Sequence, residues 1–414
     1  MDDSQASTLT AGADAAGTPA TIETVADWLT DQALAEMEVD DLVDGLCDRL
    51  HAAGVPIWRA HVTFRIIHPL YGSRSATWYR DRNAELASHP RAFVGSQAPA
   101  AWQNSPLYRL VHKRMDHLRR RLTGPEALLD FPLLQELRDD GGTDYLAFSV
   151  AFGDGLYNGM AGSFTTDREG GFSDGHLRAL LALRKPLGVA TKMRLQAEIA
   201  RNVVRTYLGP RAGLRVLGGQ IQRGDGETLP AALWYCDLRG STAMADRMET
   251  ESFIALLNAY FEATAGAVLE QGGEILGFIG DAVLAISPAD GDAAAERAAC
   301  GRALAAADEA TRRMAALNES RAETGADPLS FGLGLHFGDV MFGNIGVAER
   351  LSFNVIGRTV NEVCRLEELT REGDGPVLAS AAFADRIDPD WPEIGERALR
   401  GIGRPIAVHR PPRD

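Results

Sequence analysis

The sequence has few cysteines, and no two of them stand in a CxxC pair. This scarcity excludes a disulfide framework and a zinc ribbon, and it suits a reducing cytoplasm. The N-terminus lacks the basic region and apolar stretch of a signal peptide. No apolar run approaches the roughly 18 residues that span a bilayer. We therefore expect a cytoplasmic protein with no membrane partner. The four thiols are those of Cys47, Cys236, Cys300 and Cys364.

An excess of positive charge is also missing. The chain has 57 acidic and 42 basic residues, and its net charge is −15, which excludes a general binder of nucleic acid or anionic membrane. Any anionic ligand must be held by local basic groups or by metal ions. Hydrophobic residues make up 45% of the sequence and charged residues 24%, a balance typical of globular proteins. The 414 residues leave room for two or three domains, at roughly 100–200 residues each.

The first part of the chain predicts an α+β domain behind a polar arm. Residues 1–20 contain almost no large apolar groups, and we expect them to be disordered. Residues 21–172 mix helical and strand-like patterns and are similar in size to a sensory GAF or PAS module, which implies a sensor ligand of unknown identity. The patterns are helical spacing up to about Val55, a strand at 57–68, a basic helix at 106–122 capped by Ser105, and strands at 144–152 and 160–166.

Residues 173–229 read as a connecting segment. A helical pattern runs to about Leu208, with a break expected at Pro186, and a junction rich in Gly, Arg and Pro follows. Residues 230–414 then show elements in the order βαββαββαβ, in which 330–340 and 342–346 are separate strands. That order predicts an α/β sandwich around one central sheet. The fold class of the whole chain is therefore α+β.

Two aspartates stand out by their surroundings. Asp237 ends the apolar strand AALWYC, and Asp281 lies in the Gly-Asp turn of an otherwise apolar hairpin. A carboxylate among buried residues is costly unless it is paired or binds a cation. Two carboxylates at the ends of neighbouring strands would suit two Mg²⁺-like ions. The alternative is that Asp237 begins a loop and Asp281 is an ordinary turn residue.

Four motifs in a fixed order favour the functional interpretation. Together they closely resemble the catalytic domain of class III nucleotidyl cyclases, over roughly the last 185 residues of the chain. The motifs are CDLRGST at 236–242, FIGDAVLAI at 278–286, HFGDVMFGNIG at 336–346 and VIGRTVNEVCRLE at 355–367.

The resemblance implies a role for five residues. Asp237 and Asp281 match the metal-binding aspartates, and the backbone carbonyl of Leu238 is a further expected ligand of two Mg²⁺ or Mn²⁺ ions. Asn361 matches the residue that orients the ribose, and Arg365 the residue that stabilises the pentavalent phosphorus. Their spacing of four places both on one face of a helix. Arg365 could instead form a surface salt bridge with a neighbouring glutamate, Glu362 or Glu368.

The implied reaction is an in-line attack of the ribose 3′-hydroxyl of a nucleoside triphosphate on its α-phosphate, with pyrophosphate leaving. In the family, the metal motif of one subunit faces the Asn/Arg motif of the other. The resemblance therefore implies a homodimer with two composite sites. A module that binds nucleotide or dimerises without turnover is the alternative from another class of function.

Three positions depart from adenylate cyclases. Gly277 stands where those enzymes have Lys, Asn354 where they have Asp or Thr, and Ser241 where Phe is common. Asn354 can match the Watson–Crick edge of uracil or, with its amide flipped, of cytosine. The pocket is similar to that of the pyrimidine cyclases of Pycsar-type anti-phage defence, and it favours UTP and a cUMP product. An adenylate cyclase that reads its base through other groups remains the alternative.

The sequence offers two candidates for the group that binds the triphosphate. Relatives often carry a Lys near the closing strand, where this chain reads LRGIGRPI. Arg400 or Arg404 could take that role, or both could be solvated.

Overall fold

The computed structural model describes residues 19–91, 99–153, 158–388 and 390–412. The predicted arm at 1–20 lies outside these residues, apart from Pro19 and Ala20, which begin the first helix. The chain divides into two units, Met1–Val203 and Val204–Asp414. The division falls within the segment predicted to connect the domains.

The first unit is built on a six-stranded sheet in the order β3-β2-β1-β6-β5-β4, in which every neighbouring pair is antiparallel. Its strands are β1 (Arg59–Arg65), β2 (Tyr71–Tyr79), β3 (Arg82–Pro90), β4 (His117–Arg121), β5 (Asp144–Ala151) and β6 (Gly159–Thr166). Its helices are α1 (Pro19–Leu34), α2 (Val39–Ala52), α3 (Ala100–Gln103), α4 (Pro106–His112), α5 (Pro132–Asp139) and α6 (Asp174–Leu208), of which the last continues past Val203.

The two faces of this sheet differ in character. One face carries apolar side chains such as Phe148 and Phe164, which pack with α1, α2 and the first half of α6 into the larger core. The other face is covered in part by leucines of α4 and α5, which surround Tyr145. Alternation along each strand separates these two sets of side chains. The unit is an antiparallel α+β domain, and its relation to GAF or PAS modules stays a prediction.

The predicted basic helix at 106–122 is wrong in its second half. Ser105 caps the helix as expected, since its hydroxyl accepts a hydrogen bond from the Tyr108 amide at 3.1 Å. The helix nevertheless ends at His112, and Arg114 adopts a left-handed φ of 52° that turns the chain. The rest of the run forms β4, because its arginines pair with the buried Asp144 of β5, with Arg119 Nη2 2.7 Å from Oδ2.

The break expected at Pro186 is also absent, because α6 continues through it. A proline inside a helix costs about 3 kcal/mol. The buried side chains on either side of it, Leu183 and Leu187, pack into the core of the first unit and offset that cost. Tertiary packing therefore outweighs the local signal.

The second unit is built on an eight-stranded sheet in the order β13-β14-β12-β10-β7-β9-β8, with β11 paired to β10. Its strands are β7 (Gly226–Leu238), β8 (Glu274–Ile279), β9 (Ala282–Pro288), β10 (Phe331–Val347), β11 (Arg350–Ile356), β12 (Val377–Ser380), β13 (Glu393–Arg397) and β14 (Ile406–His409). Its helices are α7 (Pro210–Leu217), α8 (Ser241–Arg247), α9 (Thr250–Glu270), α10 (Ala293–Glu323), α11 (Arg358–Leu369) and α12 (Ala381–Ile387), with a 3-10 turn at Thr370–Glu372.

Helices cover both faces of this sheet. The helices α9 and α10 pack on one face, where the alanine-rich α10 sits close to the strands. The opposite face packs against α11 and α7. The sandwich around one central sheet, and with it the α+β fold class, is confirmed. The strand expected to be two pieces is one strand, β10, while α12 and β13 were not predicted.

The long strand β10 organises the second unit. It pairs antiparallel with β7 along its length, parallel with β12 near its start and antiparallel with β11 near its end. The helix α11 follows β11 and precedes β12, so both ends of this helix lead into partners of β10.

The helix α9 is long and apolar enough, by length and composition, to cross a membrane. In this fold it is a core helix, because Leu256, Tyr260 and Val268 are buried in the second unit.

Candidate active site

The strands β7 and β9 bring the two predicted metal ligands together. Asp237 lies one residue before the end of β7 and pairs in register with Ala282, the first residue of β9. Asp281 precedes Ala282 in a two-residue turn whose first residue, Gly280, has a φ of 65°. A two-residue hairpin of this kind needs a positive φ at that position, which glycine adopts without strain.

The two carboxyl groups are close enough to hydrogen-bond to each other. Burial raises the pKa of Asp237, and the neighbouring Asp281 carboxylate raises it further. Arg239 and Arg371 act in the opposite direction, and Arg371 Nη2 lies 3.3 Å from Asp237 Oδ2. Two acidic groups held this close favour a shared cation.

The donor set fits a hard divalent cation. The backbone carbonyl of the buried Leu238 follows Asp237 directly at the end of β7. Within the described ranges, no cluster of three or more His, Cys, Asp or Glu side chains could hold a metal ion. Mg²⁺ commonly binds proteins through one or two carboxylates and completes its shell with water and substrate phosphates. Two carboxylates and a backbone carbonyl fit this mode of Mg²⁺ binding.

Asn361 and Arg365 lie on α11, one turn apart, and Asn361 is exposed. The Arg365 guanidinium pairs with Glu368 of the same helix. The strongest cationic influences on the pKa of Asp237 are Arg239 and Arg371 rather than Arg365. No contact joins Arg365 to the two aspartates among the described residues of this chain.

A buried polar network seats α11 on the sheet. His336 of β10 lies 2.9 Å from a Glu362 carboxylate oxygen through Nε2, and its Nδ1 is 2.7 Å from the Ser380 hydroxyl. Arg358 donates to the other oxygen of Glu362 at 2.8 Å. The hydrogen bond from His336 lowers the pKa of Glu362. Glu362 is therefore part of this network and does not pair with Arg365, as the sequence alone allowed.

The three predicted base-recognition positions lie on separate elements. Gly277 belongs to β8 beside a bulge, and a Cβ added there would meet no atom within 4 Å. Asn354 lies on β11, and its side-chain oxygen accepts a hydrogen bond from the Val355 amide at 2.8 Å. Ser241 begins α8. The Val355 amide fixes the orientation of the Asn354 amide, because only oxygen can accept that bond.

Arg400 and Arg404 are exposed in the turn between β13 and β14. This turn lies beside the opposite edge of the sheet from β8. The fold of one chain therefore does not bring these arginines to the two aspartates.

Three residues near the aspartates were missed by the sequence analysis. Arg239 Nη2 lies 2.7 Å from a carboxylate oxygen of Glu367, and its guanidinium also contacts Thr370. Arg371 follows in the 3-10 turn. Burial raises the pKa of Glu367 to about 7, with Arg239 opposing the rise. Only the three-dimensional packing reveals these pairs, because no spacing links 239 to 367.

Comparison with known proteins finds similarity to one family within the second unit. Residues 227–382 match the adenylate and guanylate cyclase catalytic domain. The chain is 33% identical over 156 residues to an adenylate cyclase of Anabaena cylindrica, a match that covers 37% of this chain and 30% of that protein. It is 31% identical over 150 residues to adenylate cyclase 1 of Rhizobium meliloti, covering 36% of this chain and 22% of that protein. The chain thus spans about a third or less of the length of these relatives.

A solved structure shares the region as well. The adenylyl cyclase CyaB from P. aeruginosa aligns with a TM-score of 0.39 and 25% identity, over 45% of this chain and 94% of that one.

Proposed function

We propose that the class III adenylate/guanylate cyclase catalytic domain carried by this chain converts a nucleoside triphosphate to a 3′,5′-cyclic nucleotide and pyrophosphate. The observation that carries the proposal is the approach of the Asp237 and Asp281 carboxyl groups at the ends of adjacent strands. The ribose 3′-oxygen attacks the α-phosphorus, the bond to the β-phosphate oxygen breaks, and the 3′-hydroxyl gives up its proton.

Asp237, Asp281 and the Leu238 carbonyl would hold two Mg²⁺ or Mn²⁺ ions. Bound there, the ions would polarise the phosphates and lower the pKa of the 3′-hydroxyl. The protein supplies the acidic cradle, and its half-buried position limits competition from water. A bound cation would lower the pKa of Asp237, which burial and the Asp281 carboxylate raise.

Asn361 would orient the ribose, and Arg365 would stabilise charge on the α-phosphoryl oxygens. A planar guanidinium suits two phosphoryl oxygens at once. The exposure of Asn361 leaves its amide accessible, and Arg365 would exchange its bond to Glu368 for the substrate.

We propose that the site is completed by a second copy of the chain. Among the described residues of one chain, Arg365 pairs with Glu368 and Asp237 with Arg371, and the lack of an ion pair between Arg365 and the aspartates supports this arrangement. Two apolar side chains next to the Asp281 turn, Phe278 and Ile279, are about half exposed. Adjacent apolar side chains left in water are typical of a surface that binds a partner. A further exposed row runs along α6 at a coiled-coil spacing of four and three residues and comprises Val189, Met193, Gln196, Ala200, Val203 and Tyr207.

The base is proposed to be uracil. Because the oxygen of Asn354 accepts from the Val355 amide, Nδ2 is the atom left to donate to a base, which suits a carbonyl acceptor of uracil and not the amino group of cytosine. The open space at Gly277 lacks the lysine of the adenylate cyclases, and Ser241 is small. Adenine remains the second candidate, because curated relatives are named adenylate cyclases.

A cytoplasmic cUMP-forming enzyme would fit a role in anti-phage signalling, with the first unit as the sensor. Arg400 and Arg404 remain proposed triphosphate contacts, and they could reach the phosphates only from the second subunit. These roles rest on the cyclase activity.

The test incubates the purified full chain separately with UTP, CTP, ATP and GTP in the presence of Mn²⁺, followed by mass spectrometry of the products. We expect cUMP and pyrophosphate from UTP at the highest rate. A cyclic product from ATP alone would support the proposed cyclase reaction but contradict the proposed preference for uracil. Absence of any cyclic nucleotide and of pyrophosphate would favour a binding or dimerisation module and overturn the proposed function.

A further inference from the structure

The second face of the sheet in the first unit carries a buried group of polar side chains whose hydrogen-bonding capacity is not fully used. Arg59 of β1 pairs in register with Thr165 of β6, and Thr165 pairs with Tyr145 of β5. Residues directly opposed across neighbouring strands project from the same face of a sheet. The three side chains therefore stand side by side. We call them the Arg59 cluster.

All three side chains are at least nine-tenths buried. Tyr145 and Thr165 have no exposed surface, and Arg59 is 8% exposed. Two polar atoms of the cluster have no hydrogen-bond partner, Arg59 Nη1 and Thr165 Oγ1, while the Tyr145 hydroxyl lies beside that of Ser163. Buried polar atoms without partners are rare and costly, and here two of them are adjacent in register.

The groups found around the Arg59 charge are neutral, and its guanidinium carbon lies 5.6 Å from the centroid of the Tyr79 ring. Its Nε donates to the Tyr79 hydroxyl at 3.2 Å, a neutral partner. Over the ranges that the structure describes, no carboxylate lies within ion-pair distance of Arg59. The other buried arginine of the described residues, Arg194, does have one, in Glu38. A buried guanidinium without an anion is expensive enough that proteins seldom keep it.

Neighbouring groups leave this positive charge unopposed. His61, two residues along β1, hydrogen-bonds to Thr77, and burial lowers its pKa to about 3, with Arg59 and His89 lowering it further. It is therefore neutral. Burial raises the pKa of Tyr145 to about 12, so its hydroxyl keeps its proton and can donate it. The cluster thus offers one cation and two hydroxyl donors.

We propose that the Arg59 cluster is the binding site for the head group of a small anionic molecule, a carboxylate or a phosphate. An oxyanion accepts hydrogen bonds from a guanidinium and two hydroxyls at once, which satisfies the two unpartnered atoms and neutralises the charge together. The half-buried Trp58 and the Tyr79 ring lie next to it, with centroids 5.9 Å apart, and provide an apolar wall for the rest of the ligand. The site is independent of the proposed cyclase reaction.

The test measures thermal unfolding of the full chain with three probes: inorganic phosphate, benzoate, and benzamide as the neutral analogue of benzoate. We expect saturable stabilisation by phosphate or benzoate and none by benzamide. The probe that acts distinguishes a phosphate from a carboxylate ligand. In parallel, the purified protein is denatured, and the released small molecules are identified by mass spectrometry, which detects an anion that stayed bound during purification.

Variants connect either signal to the cluster. Arg59→Met should abolish stabilisation and release no anion, and the near-isosteric Tyr145→Phe and Thr165→Val, which keep the fold, should each weaken binding about three- to tenfold. Arg80→Gln is the matched control, because Arg80 is paired with Asp167 and should bind as the wild type does. No released anion together with no saturable shift would overturn the proposal, as would equal stabilisation by benzamide or a response unchanged in all three variants.

Discussion

Arg371 holds its guanidinium 3.3 Å from the Asp237 carboxylate, at the group that we assign to metal binding. The arginine is 60% exposed and belongs to a 3-10 turn, so it can leave without disturbing the core. A cation that binds Asp237 must displace it.

Replacing this arginine should therefore favour the metal. For Arg371→Ala, we expect the Mn²⁺ concentration for half-maximal activity to fall about two- to fivefold, the range that an exposed ion pair is worth. Metal titrations of the activity measure it. Arg312→Ala, which removes an exposed arginine of α10, should leave the titration unchanged. An increased metal requirement in Arg371→Ala would mean that Arg371 assists the site instead.

Removing one carboxylate should abolish turnover and leave the fold intact. Asp281 lies in a hairpin turn and contributes no core packing, so Asp281→Ala should retain the wild-type circular dichroism spectrum and unfold at a similar temperature. Activity should fall below detection with each nucleoside triphosphate. Asp385→Ala, at an exposed position of α12, is the control. Retained activity in Asp281→Ala would remove the metal assignment.

Composite sites predict that two inactive variants restore each other. Asp281→Ala lacks a metal ligand and Arg365→Ala lacks the phosphate-binding group, so a mixed dimer contains one intact site and one doubly damaged site. If subunits exchange freely, half of the dimers are mixed, and an equal mixture should regain about a quarter of the wild-type activity. The assay uses co-expressed chains with separate affinity tags. An inactive mixed dimer would argue for sites within one chain.

The open space at Gly277 allows the base preference to be tested by introducing a larger side chain there. A lysine there meets no atom within 4 Å at its Cβ, so Gly277→Lys should fold. It restores the donor that adenylate cyclases carry, and we expect the ratio of ATP to UTP turnover to rise about tenfold. Gly301→Lys, at a similarly open position of α10, should keep the wild-type ratio. An unchanged ratio in Gly277→Lys would separate this position from the base.

The raised pKa of Glu367 predicts a pH-dependent stability. Its pKa is about 7 in the folded chain against 4.5 in the unfolded one, so the folded state holds the proton more tightly between these values. Its contribution to stability is therefore full below pH 4.5 and is lost as the pH rises towards 7. The melting temperature of Glu367→Gln relative to wild type should increase from pH 5 to pH 8, while that of the exposed Glu368→Gln should stay level. A level difference for Glu367→Gln would contradict this assignment.

The sequence predicted the second unit better than the first because its signals are local. Asp237 and Asp281 could be paired from the ends of apolar strands, and the hairpin turn at Gly280 carries its own geometry. The run from Lys113 to Leu122 could not be read correctly, because the attraction that makes it a strand comes from Asp144, about 25 residues later. The helix break predicted at Pro186 was wrong for a similar reason, because packing of the neighbouring leucines keeps α6 continuous.

Contacts between residues far apart in the chain could not be predicted from the spacing of residues in the sequence. His336 and Glu362 lie in two separate motifs, and nothing in either motif indicates that they meet. The Arg59 cluster is likewise visible only once the register of three strands is known. By contrast, the capping role of Ser105 depends on three residues and was found from the sequence.

The attachment of α11 has a consequence for control of the proposed reaction. The strands β11 and β12, which flank this helix in sequence, are both hydrogen-bonded to β10. A large translation or rotation of the helix would therefore break hydrogen bonds between these strands. Asn361 and Arg365 are then carried as a fixed pair. In the proposed composite site, a signal that starts or stops turnover would then act on the distance between the two subunits rather than on the pose of one side chain.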